Sequence, residues 1–581
     1  MKKSFLVSRL TKGRFSSNRR SCFLKKKTIR YLFLLVVYYV TLINCFAQVT
    51  QEWAVRYNGP SNGNDYPYSI DIDTLGNVYI GGSTTVSGSG LDCIVLKYNS
   101  EGILQWESTY NGTGNGNDVV NSISVDDAGY VYATGNSQGL GSGLDYITIK
   151  YNPSGDTVWV RRYNGPGNGE DEAFSLAVDG DGNAYVTGYS VGNGTGEDYA
   201  TIKYSPDGVQ LWAARFNSYS IFYDNAYDLV LDNNGFIYVT GSGGQPNDFL
   251  TIKYNPSGDT VWTARYNGPQ NDSEVAYALA VDLLGNVYVT GATVGPGINY
   301  DYATVKYNSS GVLQWASSYS GSGDGDDFSF DIAVDTNGNS YVIGYSRVDP
   351  GLYDYVTIKY SPDGDSLWVR NYDGPAQLAD YAFAIALDKY FNVYVVGYSN
   401  GGGSLDDFAT IKYSTNGLQE WVMRYNGPQS NASDEARCIE VDNSGNVYVT
   451  GRSFTQNYDI ATIKYSQLVG VQEISNNFPT DFKLYQNYPN PFNPSTKIKF
   501  TVPPDARGEK LEVSLKVFDI LGNEVASLVN DYKPAGRYEV EFNALQLSGS
   551  VSAEGGYASG VYFYQFRAGN FIETRKMVYI K

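Results

Sequence analysis

The sequence predicts an all-β chain: a β-propeller of eight four-stranded blades followed by a small Ig-like β-sandwich. Three observations carry this reading. All eight tryptophans (Trp53, Trp106, Trp159, Trp212, Trp262, Trp315, Trp368 and Trp421) stand 53 residues apart, with one step of 50. A fixed period of this size is the mark of a repeat architecture. Within each period lie four short runs of β-branched and aromatic residues, separated by turn residues. Four strands joined by hairpins and repeated at this spacing describe a propeller blade. After Tyr465 the period ends, and residues 481–581 instead show short strands of alternating polarity.

One unit, read from Asp171, shows each element. Ala173–Val178 is the inner strand, and Asp179–Asn183 is a turn rich in residues that tolerate positive φ. Ala184–Thr187 and Asp198–Tyr204 are the second and third strands. Ser205-Pro-Asp-Gly208 turns the chain into the fourth, Gln210–Phe216, which holds the tryptophan. Apolar residues fall on both faces of these strands, as expected of a blade buried between two neighbours. Seven of the tryptophans follow a glycine by four residues, from Gly102 to Gly417, whereas Trp53 has no hairpin before it. The last unit ends at Ile463-Lys464-Tyr465 with no tryptophan strand. The strand around Trp53 is therefore expected to complete the last blade and close the ring, removing exposed edges.

The motifs "GNVYVTG", "DYATIKY" and "LQWASSY" resemble the SBBP β-propeller repeat of secreted bacterial proteins. That family is described with seven blades, so seven is the alternative to the eight inner strands counted here. The resemblance implies a fold and no settled activity.

The tail begins with Asn487-Tyr-Pro-Asn-Pro-Phe-Asn-Pro494, too rich in proline for a helix or a central strand. Leu511, Val513, Leu515 and Val517 alternate with polar residues, as do Tyr538, Val540 and Phe542, giving half-buried strands of a sandwich. The segments "YPNPFNPSTKIKF", "VFDILGNEVASL", "AGRYEVEF", "SGVYFYQF" and "RKMVYIK" resemble the type A C-terminal sorting domain of the type IX secretion system of Bacteroidota-like bacteria. The resemblance implies Sec export, passage through the outer membrane by the type IX machinery acting on residues 481–581, and release or attachment at the cell surface.

The opening of the chain fits an exported protein. A basic stretch ends at Arg30, an apolar run covers Tyr31–Ile43, and Cys45-Phe46-Ala47 sets cleavage after Ala47. The run is too short for a membrane span, so no transmembrane segment is expected in the mature chain. The domain map is then 1–47 signal peptide, 48–466 propeller, 467–480 linker and 481–581 sorting domain. The formal charge is −19; residues 1–47 hold 11 Lys/Arg and no Asp/Glu, so the mature chain has 31 basic against 61 acidic residues, a charge of −30. So acidic a body repels nucleic acid, which is excluded as a partner. Cys93 and Cys438 occupy packing positions, and no disulfide framework is expected.

Three acidic positions recur in every unit. One opens the inner strand: Asp65, Asp118, Asp171, Asp224, Glu274, Asp327, Asp380 and Asp434. One ends that strand, Asp73 to Asp442, and one opens the third strand, Asp92 to Asp459. The first and third are expected on one face as two rings of carboxylates. Calcium is chemically admissible there, but sameness in all eight units favours carboxylates that accept backbone N–H groups in their own turns. No cofactor or metal is therefore assigned. Asymmetry is the better pointer: the fourth entry loop carries Tyr219, Ile221, Phe222 and Tyr223 where most others read "NGPxNG", a candidate contact patch.

The chain contains no histidine, which removes the commonest general base and any Ser-His-Asp or Cys-His set. No carboxylate pair stands out from the repeated ones, so no catalytic residue is assigned. The expectation is a non-enzymatic binding or adhesion scaffold for a glycan or protein. The alternatives are a carbohydrate-active enzyme using Asp/Glu and a purely structural surface protein.

Overall fold

The computed structural model describes residues 49–467 and 481–581, apart from 219–222, 298, 324, 350–351, 430, 468–480, 504–509, 534–535, 545–556 and 570. The assigned signal peptide therefore lies outside the described residues. Two compact units are present, split at Leu468/Val469.

Among the described residues the first unit holds eight four-stranded antiparallel sheets. Seven run in chain order. The eighth combines Asp434–Val441, Val447–Phe454 and Tyr458–Gln467 with the first strand of the chain, Val49–Tyr57. Trp53 stands opposite Lys464 and Tyr57 opposite Ile460 across this seam. Each inner strand packs on the next, and the first, Asp65–Ile72, packs on the last, Asp434–Val441. The fold is thus a closed propeller of eight blades.

The apolar core lies between blades. Tyr79 and Cys93 of the first blade, for example, pack with Val120, Ile123, Val131 and Ile147 of the second. The tryptophan strand adds a second tie. Trp106 Nε1 donates to the Pro153 carbonyl of the next blade at 3.1 Å, and its indole lies on Gly155. A Cβ built on Gly155 would sit 2.6 Å from Trp106 Cδ2, and its φ is +90°. The glycine four residues before each tryptophan other than Trp53 thus serves the tryptophan of the preceding blade. Lys150 makes a parallel tie, donating to the Pro206 carbonyl at 3.1 Å while its ammonium sits 4.8 Å from the centroid of Tyr132.

One boundary is corrected. Gln467, assigned to the linker, is the last residue of the strand Tyr458–Gln467 and pairs with Val49. It lies in the seam because its side chain completes a hydrogen-bond set there. Residues 468–480 lie outside the described residues.

The second unit has a three-stranded sheet (Lys483–Leu484, Ser495–Val502, Gly536–Asn543) and a four-stranded sheet (Glu524–Lys533, Leu511–Phe518, Gly560–Ala568, Phe571–Tyr579). Both feed one core, with Ile498, Phe500 and Phe542 from the first and Val513, Leu515, Val517, Phe566 and Met577 from the second. The alternation along Leu511–Val517 places Val513, Leu515 and Val517 inside.

Candidate functional site

Every inner strand carries a bulge at the same place. The pairing register skips Tyr68, Asn121, Phe174, Tyr227, Tyr277, Phe330, Phe383 and Arg437 in turn. A bulge re-aims the extra residue away from the regular alternation. Here the result is a girdle of side chains around the axis. Phe174 and Tyr227 lie 5.6 Å apart between ring centroids, Tyr227 and Tyr277 6.1 Å, Tyr277 and Phe330 5.3 Å, and Phe330 and Phe383 5.7 Å. The Arg437 guanidinium then stands 4.2 Å from the centroid of Phe383. These separations are those of favourable aromatic pairs.

At the mouth, a second aromatic layer joins the girdle on the side of the sixth and seventh blades. Tyr345 meets Phe330 at 5.3 Å and Tyr381 edge-on at 4.8 Å, and Tyr398 meets Phe383 at 5.5 Å. A cavity of about 600 Å³ opens here, lined by Tyr68, Tyr277, Phe330, Phe383, Arg437 and Arg452 among others. Its two arginines are held by one carboxylate: Glu435 accepts from Arg437 at 2.8 Å and from Arg452 at 2.7 Å. Tyr68 is 44 % exposed, and the other girdle aromatics are half-buried. The arrangement offers flat apolar faces, tyrosine hydroxyls and two fixed guanidinium groups to a ligand entering along the axis.

Farther along the inner strands the axis is acidic. Asp71 Oδ2 accepts the Val125 N–H at 2.7 Å, Asp228 Oδ2 the Leu279 N–H at 2.9 Å and Asp331 Oδ2 the Ile385 N–H at 2.9 Å, each reaching the next blade. Burial pushes Asp331 up to about 7. Burial, then the charge of Asp71, pushes Glu440 up to about 8.

The carboxylates that open the inner strands are closed off from solvent. Asp65, Asp118, Asp171, Asp224, Glu274, Asp327, Asp380 and Asp434 are all 0 % exposed. The entry loop folds over each one and donates to it. Asp65 Oδ2 accepts the Gly59 N–H at 2.7 Å, Asp171 Oδ2 the Gly165 N–H at 2.7 Å and Asp327 Oδ2 the Gly321 N–H at 2.7 Å. Burial, then the nearby Asp248, pushes Glu274 up to about 7. The turn acids behave likewise: burial opposes ionisation of Asp179, but hydrogen bonds from Asn183 and Tyr185 hold its carboxyl below the ordinary value. In the third-strand ring, five carboxylates pair with an arginine from the tryptophan strand of the same blade: Arg56–Asp459, Arg162–Asp145, Arg215–Asp198, Arg265–Asp248 and Arg424–Asp407, at 2.6–3.0 Å. Burial, then the charges of Asp373 and Asp380, pushes Asp354 up to about 6.

Of the candidate patch, Tyr219, Ile221 and Phe222 lie outside the described residues, and Tyr223 is 61 % exposed. The aromatic girdle is the feature the sequence reading missed. Its signal was the residue three places after the acid that opens each inner strand, which varies in type while the residues around it repeat.

The Beta-propeller repeat family (SBBP) matches residues 53–88, 158–194, 261–297 and 317–351. The Secretion system C-terminal sorting domain matches residues 486–581. The chain carries SBBP propeller repeats joined to a type IX C-terminal sorting domain. That domain implies engagement of the secretion machinery and export to the cell surface or beyond. No curated protein matches the sequence. Among solved structures, a protein of unknown function from Bacteroides caccae is similar at 14% identity and a TM-score of 0.29, covering 49% of this chain and 92% of its own. The polysaccharide lyase Uly1 is similar at 12% identity and TM-score 0.37, covering 62% and 93%. Drosophila Semaphorin 1b, extracellular domains 1-2, gives 9% identity and TM-score 0.34, covering 72% and 87%. None of these likenesses bears on what this chain does. Among the described residues no helix is long and apolar enough to cross a membrane.

Proposed function

We propose that this protein is a non-enzymatic binding or adhesion scaffold, displayed on the cell surface or released, that holds a glycan in the aromatic mouth of its central channel. The observation that carries this reading is the continuous aromatic wall from Phe174 to Phe383, ending on Arg437. The apolar C–H face of a sugar ring packs on such flat rings, while tyrosine hydroxyls and guanidinium groups orient its hydroxyls. The described residues lining the cavity include no carboxylate. Glu435, beside it, is tied to two arginines, which leaves it poorly placed to serve as a general acid. These points favour binding over glycoside hydrolysis, which asks for two carboxyl groups flanking the scissile bond.

A glycan array probed with the mature secreted protein, run beside a reducing-sugar release assay on the same glycans, tests the reading. Selective binding without release is the expected result. Release of reducing sugar, abolished by one Asp or Glu substitution, makes it an enzyme. Absence of both leaves the structural role.

A further inference from the structure

The eight blades repeat closely, yet one junction carries an acidic residue where the others carry a neutral one. The loop residue that follows each tryptophan strand is Asn58, Asn111, Asn164, Asn217, Asn267, Ser320 and Asn426 in seven places, but Asp373 in the eighth. Where it is Asn217, its amide donates to the third-strand carboxylate Asp198 at 2.6 Å. Two residues earlier, the arginine that pairs with the third-strand carboxylate in five blades is replaced by Asn371. The junction of the sixth and seventh blades has thus lost a guanidinium and an amide donor and gained a negative charge.

The consequence is a group of three carboxylates, Asp354, Asp373 and Asp380, whose oxygens lie within 4.8 Å of one another. Asp354 is 9 % exposed and Asp380 0 %. Among the described residues no group forms a hydrogen bond or ion pair with the Asp354 carboxylate. Asp380 Oδ2 accepts the Gly374 N–H at 2.6 Å, while its buried Oδ1 has no hydrogen-bond partner. The neighbouring Ser399 hydroxyl eases ionisation of Asp380 without reaching hydrogen-bond geometry to that oxygen, and it accepts from Arg424 Nη1 at 2.8 Å. Buried carboxylates without a partner are costly. Asp373 is exposed and opens the group to solvent.

We propose that Asp354, Asp373 and Asp380 bind a calcium ion between the sixth and seventh blades. Calcium takes oxygen ligands at about 2.3–2.6 Å, so two ligands on opposite sides of one ion stand at most about 5 Å apart. The three oxygens fit that span as they stand. The seven sister junctions, with a neutral residue in place of Asp373, lack the third carboxylate. The site is independent of what occupies the channel.

Equilibrium dialysis of the full mature chain against radioactive calcium tests this, comparing wild type with Asp373→Asn and Asn371→Arg. Both changes install a residue that sister blades already carry, so the fold has a precedent for each. The expected result is one more calcium bound per wild-type chain, with a Kd of about 0.1–1 mM, the range of extracellular modules. Both variants should lose that ion while keeping the calcium-free melting temperature. Equal stoichiometry in wild type and the variants overturns the proposal. If Asp373→Asn alone fails to fold, Asn371→Arg decides: retained calcium in that variant overturns the proposal and its loss supports it.

Discussion

Trp421 Nε1 donates to the side-chain Oε1 of Gln467 at 3.2 Å, where the other seven tryptophans each donate to a backbone carbonyl of the next blade. The difference follows from closure. The last blade takes its tryptophan strand from the start of the chain, so it has no hairpin turn to offer Trp421. Gln467 fills that place. It also accepts from Lys412 Nζ at 2.8 Å and donates to Tyr394 Oη at 2.8 Å and the Gly445 carbonyl at 2.7 Å.

Gln467→Ala should therefore destabilise the propeller out of proportion to its place at a strand end. It leaves the indole N–H of Trp421, 7 % exposed, without a partner, a loss of about 1–3 kcal/mol. Chemical denaturation of wild type and variant measures this. A difference below about 0.5 kcal/mol, the level of an ordinary surface change, contradicts the role given to Gln467.

Gly208→Ala tests the tie between tryptophan and turn. Gly208 has φ +76°, and a Cβ there would lie 2.7 Å from Trp159 Cδ2. Left-handed strain and overpacking act together, and the expected loss is roughly 2–4 kcal/mol. Gly180→Ala is the control, since a Cβ at Gly180 meets nothing within 4 Å. Equal melting temperatures for the two variants refute the contact.

The acidic end of the channel should give the propeller a stability that falls with pH. Glu440 is raised to about 8 by burial, then by Asp71. In the folded state it therefore holds its proton to higher pH than in the unfolded chain. The stability this confers is present below the ordinary glutamate range and is lost as pH climbs toward 8. Asp331, raised to about 7, acts in the same direction. Glu440→Gln stays neutral, so its melting temperature should fall less than that of wild type between pH 5 and pH 9. Parallel curves for the two proteins contradict this assignment.

The sorting domain should be dispensable for the fold of the propeller. Its core is its own, and the ring closes through Val49–Tyr57 without it. Residues 48–467 should melt with the same transition as the propeller of the full mature chain. Removing only the last strand is a poor test of sorting, because Met577 and Tyr579 are buried in the tail core and their loss unfolds the domain. A lower melting temperature for 48–467 contradicts the independence of the two units.

Much of this architecture was legible because contacts between blades constrain single residues at a fixed spacing. The glycine before each tryptophan and the unpaired strand at Trp53 both reflect such contacts, and they led directly to the closed ring. The girdle was not legible because a bulge interrupts strand alternation. Tyr68 and Phe330 read as ordinary strand residues until the register places them on the axis. The depth of burial of the carboxylate rings was not legible because alternation says nothing about a loop folding over a strand end, as Gly59 does over Asp65. The ion pairs did leave a trace: arginine stands three residues after Trp53, Trp159, Trp212, Trp262 and Trp421, and it is absent after Trp106, Trp315 and Trp368, the last of which is followed by Asp373.

The most direct test of the channel as the binding site is the affinity of a Phe330→Ala, Phe383→Ala double variant for the best-bound glycan on the array, measured by calorimetry. Both rings are half-buried and face the cavity, so the blades should stay folded. The account predicts at least a tenfold rise in Kd, about 1.4 kcal/mol, with the cooperative melting transition retained. An unchanged Kd in the folded double variant would contradict it and move the site off the axis.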